Sequence, residues 1–370
     1  MTHITLANLR SHPGHLPASI NGDFSPYDMR ECGFSLVELM VALTIGLVLL
    51  AGLTTIFVGN SRSHDEIMRA NQLMENGRYA MEVVTDDLSN AGYYAEFDTT
   101  AIPAASVPTT LPDVCATAVA NLNADIPLHI QGVDDAAAVP TCISDVRAAT
   151  DILVVRRVST CAVGAPNCDA VVAGEPYFQA SLCGGATELG STNPVDYFAL
   201  DTNTANLNKT QRDCVTPADW HRYEAHIYFI ANNDNPGDGI PTLKVAELTG
   251  GGFAISSLVE GIENMQLEYG LDTSGDGVPD VFTTDPNSYN ACDSSTSPTC
   301  VGNWQNAVAV KIHILSRNIT QSPSLPDDKT YTLGLNFAGA ANTVGPFNDR
   351  YKRHVFETSI KLYNPAGRRS

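Results

Sequence analysis

The stretch Cys32-Gly-Phe-Ser-Leu-Val-Glu-Leu-Met40 decides the architecture of this chain. Glu38 is the only ionisable residue in the 25-residue apolar run from Phe34 to Val58. As a helix this run is about 37 Å long, which exceeds the ~30 Å hydrocarbon core of a bilayer. We therefore predict a transmembrane helix over residues 34–58. Because a carboxylate inside lipid is unfavourable, Glu38 requires a partner charge.

The combination of Gly33, Phe34 immediately after it, Glu38 five positions after the glycine and an unbroken apolar run resembles the class III signal of type IV prepilins. The resemblance implies that a prepilin peptidase cuts between Gly33 and Phe34 and that Phe34 is N-methylated. It also implies that Glu38 meets the positive N-terminus of a neighbouring subunit in a fibre. A secretory signal would lose its apolar core on cleavage, whereas here the core is retained. The alternative is a signal anchor with an incidental Glu38.

Residues 1–33 form the leader that this resemblance implies. Residues 1–28 have no apolar run and one basic residue, whereas Met29-Arg-Glu-Cys-Gly33 is a compact leader with its own methionine. We therefore expect translation to begin at Met29, with a genuine long leader as the alternative.

The composition limits the classes of function. The chain has 370 residues, of which 44% are hydrophobic and 17% charged, and its formal net charge is −20. Binding of nucleic acid through its phosphates needs a basic surface, so no direct nucleic-acid binding is expected. The acidic balance fits a soluble, exported surface on the part that follows the membrane helix.

Nine cysteines are present, and Cys32 would leave with the leader. The other eight lie beyond the membrane helix, where an oxidising periplasm favours disulfides. We expect Cys161 to pair with Cys168 and Cys292 with Cys300, because both loops are short, and the other pairings stay open. No CxxC pair supports a metal-thiolate site. The eight disulfide candidates are Cys115, Cys142, Cys161, Cys168, Cys183, Cys214, Cys292 and Cys300.

Residues 59–92 continue the helix as an amphipathic segment. Apolar residues recur at alternating spacings of three and four, which is typical of one buried helix face. We expect this face to pack on the core of its own domain, with a coiled-coil partner as the alternative, and the helix to end at Ala91-Gly92. The face comprises Ile67, Ala70, Met74, Gly77, Met81, Val84 and Leu88.

Residues 93–370 are predicted to form a strand-rich head. Six segments have strand character and no helix-length pattern separates them, which favours an antiparallel sheet and an α+β fold. Residues 98–215, rich in cysteine, proline, alanine and threonine, are expected to form long disulfide-stapled insertion loops. The predicted strands are 151–158, 222–231, 242–248, 262–269, 307–316 and 354–363.

The C-terminal half adds a second resemblance. The segment Leu258-Val-Glu-Gly-Ile-Glu-Asn-Met-Gln-Leu-Glu-Tyr-Gly270, the Asp/Gly loop after it and the basic tail at residues 353–363 resemble the PilW family of minor pilins. This resemblance implies a pilin fold, in which a long N-terminal spine helix packs on an antiparallel β-sheet head. The cysteine-rich middle resembles no family that we can name.

The Asp/Gly loop at residues 272–280 places oxygen side chains at positions 1, 3, 5 and 9 with glycine at position 6, as calcium loops do. Position 12 is Thr283 instead of a bidentate glutamate, so we expect weak calcium binding, and a metal-free acidic turn is the alternative. The candidate ligands are Asp272, Ser274, Asp276, the Val278 carbonyl, Asp280 and Asp285.

Other polar motifs support no chemistry. Residues 232–239 resemble a calcium loop superficially, but Pro236 and the short spacing favour a polar hairpin loop. His221 and His226 are five residues apart, and on a strand this offset directs the two rings to opposite faces, which favours structural roles. No nucleophile elbow, P-loop or dinucleotide motif is present, so an enzyme is not expected.

The resemblance therefore implies a minor type IV pilin that is anchored in the inner membrane by a single span, with a periplasmic head, and later reaches the pilus at the cell surface. Its implied partners are the prepilin peptidase, other minor and major pilins and a PilY-type tip adhesin, and its implied role is to prime assembly near the tip. The alternatives are a type II secretion pseudopilin and a head that acts as an adhesin or DNA receptor.

Overall fold

A computed structural model describes residues 33–102, 107–290, 292, 298–323 and 326–369. Helix α1 spans Leu36–Ser89 and is long and apolar enough to cross a membrane. The described chain falls into two compact units, one ending at Ser61 and the other beginning at Arg62. The leader, Met29 and Cys32 lie outside the described residues.

The first sheet has seven strands, and every pair is antiparallel. The longest strand, β5, pairs with β2 along one edge, and its other edge pairs with β3 near the start and with β6 near the end. Strand β1 extends the sheet beyond β2, β4 beyond β3, and β7 beyond β6. The strands are β1 Ile130–Val133, β2 Ile152–Ala162, β3 Tyr177–Ala180, β4 Phe198–Asp201, β5 Trp220–Ala231, β6 Thr242–Thr249 and β7 Gly252–Glu260.

The second sheet has four antiparallel strands in the order β13-β10-β8-β9, and β11 pairs with β12 in a separate hairpin. Three further helices are short. The remaining elements are β8 Ile262–Leu271, β9 Val281–Thr283, β10 Ala307–Arg317, β11 Tyr331–Leu335, β12 Ala341–Val344, β13 Arg353–Lys361, α2 Val119–Asp125, α3 Pro298–Gln305 and α4 Tyr363–Gly367.

All six strands predicted from the sequence are present, and the antiparallel α+β prediction is confirmed. The expectation of insertion loops over residues 98–215 missed strands β1, β3 and β4 and helix α2. The missed strands have four residues each, which is too short for alternation to be recognised. Part of the cysteine-rich region therefore completes the same sheet as β5 and β6.

The second half of α1 packs into the main core of the head. Ala80, Val84 and Leu88 share one apolar cluster with side chains of both sheets, including Tyr228 of the first and Met265 of the second. Full burial of a side chain such as Val84 or Leu88 adds about 1.5–3 kcal/mol to stability, so these contacts hold the second half of the helix against both sheets.

The buried face of α1 differs in detail from the predicted one. Ile67 is 59% exposed, and Ala70 is also exposed, so apolar burial begins only at Leu73. Met74 and Met81 lie at the margin and are half-buried. The residues that are buried on this helix are Leu73, Gly77, Ala80, Val84, Asp87 and Leu88.

The helix ends at Ser89, close to the predicted stop. Gly92 has φ +71°, a left-handed conformation that glycine adopts without strain. A β-carbon there would also lie 2.9 Å from the Cβ atom of His129. The stop therefore needs glycine both for its backbone conformation and for its close packing.

Candidate functional site

The start of α1 is the first functional region. The Ser35 N–H donates to Glu38 Oε2 at 3.0 Å, and the Leu39 N–H donates to the Ser35 carbonyl at 3.1 Å. This geometry resembles half of a capping box, in which a glutamate satisfies the N–H of the capping residue. The sequence already contained this signal as Ser-Leu-Val-Glu, and our sequence reasoning missed it.

The apolar segment after Glu38 has its side chains turned outward. Its 18-residue apolar window has none of its residues buried, and Leu36, Leu43, Leu50 and Phe57 are among the exposed side chains. A surface of this kind is unstable in water and requires lipid or other helices around it. Gly33 and Phe34, on either side of the expected cleavage point, are also exposed.

A buried polar cluster fixes the second half of α1 to the first sheet. Asp87 accepts hydrogen bonds from Arg157 Nε at 2.6 Å, His226 Nδ1 at 2.8 Å and the Tyr228 hydroxyl at 3.0 Å. Arg157 also pairs with Glu224. One acidic side chain of the helix therefore ties it to β2 and β5.

The charges in this cluster stabilise one another. Burial opposes ionisation of Asp87, but hydrogen bonds and charges from His226 and Arg157 outweigh it and hold the pKa of the carboxyl below its ordinary value. Burial likewise opposes protonation of His226, but the hydrogen bond that its ring donates to Asp87 and the charge of that carboxylate raise the pKa of His226 above the ordinary value. The His226 ring thus has a structural role, as expected.

The other histidine of the pair, His221, also makes a structural contact. Its Nδ1 lies 2.7 Å from the Ser159 carbonyl oxygen. Across the described residues, no group of three or more His, Cys, Asp or Glu side chains is arranged to hold a metal ion. Each histidine of β5 thus has its own protein partner, Ser159 for His221 and Asp87 for His226.

A second buried network lies at the start of β8. Glu263 pairs with Arg353 Nε at 2.5 Å and with Arg147 and Arg317 at 3.3 and 3.5 Å. Asp327 and Asp349 complete the neutralisation of Arg353, at 3.0 and 2.7 Å. Because β8, β10 and β13 all contribute to it, this network fixes the mutual positions of those strands. The network also gives a structural role to Arg353, the basic residue at the start of β13.

The Asp/Gly loop is closed by backbone contacts. Asp272 is buried, and its two carboxylate oxygens accept N–H groups of Gly275 at 2.6 Å, Gly277 at 2.8 Å and Asp276 at 3.2 Å. Burial opposes its ionisation, but these bonds and the Arg369 charge 3.6 Å away lower its pKa. Asp272, the first candidate calcium ligand, therefore already accepts hydrogen bonds from the protein backbone.

The remaining candidate ligands have other partners. Asp280 Oδ2 accepts the N–H groups of Thr273 and Ser274 at 2.7 and 2.8 Å. Asp276 accepts the Val278 N–H at 2.9 Å, and Asp285 accepts the Asn287 N–H at 2.9 Å. The Ser274 hydroxyl is directed to Asp272 at 3.4 Å. These side chains are close in sequence without converging on one point, so calcium binding stays a prediction.

We predict that Asp272→Ala lowers the free energy of unfolding by about 1–3 kcal/mol, because the buried Gly277 N–H and two further N–H groups lose their acceptor. Asp276→Ala is the matched control, since its exposed carboxylate accepts one local bond and its loss should change stability by less. Denaturant unfolding of the full chain in detergent measures both. Equal stability of the two variants would contradict this role of Asp272.

The same preparation tests calcium. If the loop binds the ion, millimolar calcium raises the melting temperature relative to chelator, since a ligand that binds only the folded state stabilises it. Asp280→Ala should abolish that rise. An unchanged melting temperature in the wild type would show that the loop is a metal-free turn.

The four disulfides all lie in the head. The structure pairs Cys161 with Cys168 and Cys292 with Cys300, as expected from their short loops. The two pairings that the sequence left open are Cys115 with Cys142 and Cys183 with Cys214. The loop at residues 232–239 is a polar connection between β5 and β6, in which Asp238 accepts the Asn235 N–H at 2.7 Å.

His129 lies just before β1, and its Nε2 donates to the Ala307 carbonyl at 2.6 Å. Complete burial lowers the pKa of this ring to about 4 from an ordinary 6.5. The unfolded chain therefore binds more protons than the folded one between these two values. The contribution of His129 to stability is complete above the unfolded pKa and is lost as the pH falls toward about 4.

We predict that His129→Gln flattens the pH dependence of unfolding in this range, by up to about 1.4 kcal/mol per pH unit. Denaturant titrations at several pH values measure the slope. His64→Gln, at an exposed histidine of α1, is the control and should keep the wild-type slope. A wild-type slope in both variants would show that burial of His129 does not govern the pH dependence.

Comparison with known proteins agrees with this architecture. Residues 227–364 match the family model of the type IV pilus-assembly protein W, and residues 28–54 match the prokaryotic N-terminal methylation motif. No curated protein matches the chain. A solved structure, a type IV-like pilin from Thermus thermophilus, is similar over 60% of this chain and 80% of that chain, at 10% identity. Its TM-score of 0.25 is too low to support any argument.

A methylation motif that leads into a long apolar helix, followed by antiparallel sheets, defines a type IV pilin-like protein. The two family-model matches, over residues 227–364 and 28–54, support a PilW-family pilin with a prepilin-type signal at its N-terminus. The PilW match covers β8, β10 and β13, which carry Glu263, Arg317 and Arg353 of the second buried network.

Proposed function

We propose that the protein is a minor type IV pilin that helps to initiate pilus assembly. A prepilin peptidase cuts after Gly33, Phe34 is methylated, and the segment 34–58 holds the protein in the inner membrane with its head in the periplasm. It then joins other minor pilins, the major pilin and a PilY-type adhesin near the pilus tip. Its proposed role is to pack against other subunits, and no catalytic step is part of it.

The exposed apolar half of α1 is the observation that carries this proposal. None of the residues in its apolar window is buried, and Glu38 is its one charge. In a membrane these side chains contact lipid, and in a fibre they contact the equivalent helices of neighbouring subunits. The same surface thus supports both states, and transfer between them exchanges one apolar environment for another.

Deletion of the gene tests the role in assembly. We expect a large reduction in surface pili while the major pilin remains in the membrane, and recovery on expression of the full chain. The full chain should also be found in sheared pili by immunoblot. Normal piliation combined with loss of exported proteins would show instead a type II secretion pseudopilin.

A further inference from the structure

Strand β7 forms an uncovered edge of the seven-stranded sheet. It spans Gly252–Glu260 and pairs only with β6 among the described residues. A register shift near its end leaves residues 252–257 as a regular segment. In an antiparallel pair, alternate residues direct their N–H and C=O groups away from the partner. The outer edge of β7 therefore presents hydrogen-bonding groups to solvent.

This edge lacks the usual protection against strand pairing. Natural edges are blunted by short length, charge or proline. Residues 252–259 contain neither a charge nor a proline, and the four residues 254–257 are consecutively exposed. Ile255, a strong strand former, is 42% exposed in the middle of this segment.

The other described edges differ from β7. Strands β1, β4 and β12 have four residues each, β11 has five and β9 has three, so all of them are short edges. Strand β13 has nine residues, but it carries Arg353, His354, Glu357 and Lys361. Among the described strands, the long edge without charge is that of β7.

The surroundings of the edge are acidic at both ends. Glu247 is exposed on β6 opposite Ala254, and Glu175 accepts the Gly250 N–H at 3.3 Å at the same end. Glu260 closes the other end of the strand. The one nearby cation on β6, Lys244, is already bound to the Asp234 carbonyl at 2.8 Å. An incoming strand with basic ends would therefore be complementary in charge.

We propose that the β7 edge binds an extended segment of another polypeptide, which adds to the sheet as a further strand. The partner segment has an uncharged, β-branched centre that pairs with residues 252–257 and basic residues at both ends that face the glutamates. A second copy of this chain fits less well, because each copy has a net charge of −20. The inference is independent of incorporation into a pilus.

A synthetic peptide with alternating Val and Thr at its centre and lysines at both ends is the probe. Its binding to the full chain in detergent is measured by fluorescence anisotropy. Two matched control peptides have the same sequence with every second backbone amide N-methylated. In one the methylated amides are at odd positions and in the other at even positions, so that each peptide lacks the N–H donors of one edge. We expect the unmodified peptide and one N-methylated form to bind, and the other form to lose binding by about tenfold or more.

Ser256→Lys tests the position on the protein, since a charge at the centre of the edge opposes strand addition. Ser359→Lys, at an exposed serine of the charged strand β13, controls for the added charge. We expect about tenfold weaker binding for Ser256→Lys only. Equal binding by wild type and Ser256→Lys, or by all peptides, would overturn the proposal. Disulfide crosslinks between copies of Ser256→Cys would show that β7 pairs with a second copy of this chain and would overturn the proposal of a different partner.

Discussion

Asp87→Ala is expected to be among the most destabilising single substitutions in the head. The substitution leaves the half-buried Arg157 and His226 without their shared acceptor, although Arg157 keeps its pair with Glu224. Removal of one member of a buried charged group typically lowers the free energy of unfolding by about 3–5 kcal/mol. Unfolding of the full chain in denaturant, in detergent, measures the loss.

Asp86→Ala is the matched control, because Asp86 is the adjacent carboxylate on the exposed side of the same helix. Its replacement should change stability by no more than about 0.5 kcal/mol. A second readout is the pH dependence. The raised pKa of His226 gives stability that is lost as the pH rises above its unfolded value of 6.5, and this loss should disappear in Asp87→Ala. Similar stability of the two alanine variants would show that the cluster does not fix the helix.

Replacement of Glu38 is expected to abolish assembly while leaving the protein in the membrane. Two roles compete for this carboxylate, since it accepts the Ser35 N–H within its own chain and, in the proposed fibre, meets the amine of an adjacent subunit. Glu38→Ala removes both roles. Glu38→Gln keeps an oxygen acceptor for the Ser35 N–H and removes the charge.

We therefore expect both variants to be processed and both to be absent from sheared pili, with surface pili as scarce as in the deletion strain. Immunoblots of the membrane and pilus fractions measure this. Incorporation of Glu38→Gln at the wild-type level would assign the residue to helix capping. Incorporation of Glu38→Ala at the wild-type level would show that assembly does not need Glu38.

Sequence patterns predicted the long elements well and the local contacts poorly. The run 34–58 and six of the seven described strands with eight or more residues were recognisable because their apolar residues repeat over many positions. Strands β3 and β4 were not, since four residues contain too little pattern. Their stability comes from pairing, β3 with the distant β5 and β4 with β3. Strand β7 was missed because Ser256 and Ser257 interrupt its apolar pattern.

The polar sites show the same limit. Asp87 was placed on a helix but not assigned a role, because its partners Arg157 and His226 are 70 and 139 residues away in sequence. The Asp/Gly loop has the spacing of a calcium site, yet the spacing does not determine whether Asp272 faces an ion or the backbone of Gly277. Short disulfide loops were the exception, since proximity in sequence itself suggests the pairing.

The central claim is that this chain is a processed pilin whose apolar helix remains attached to its head. Mass spectrometry of its N-terminus in cells with and without the prepilin peptidase tests that claim most directly. The account predicts a mature chain that begins at N-methylated Phe34 when the peptidase is present, and an uncleaved leader when it is absent. The same N-terminus in both strains, or cleavage beyond Val58, would contradict it.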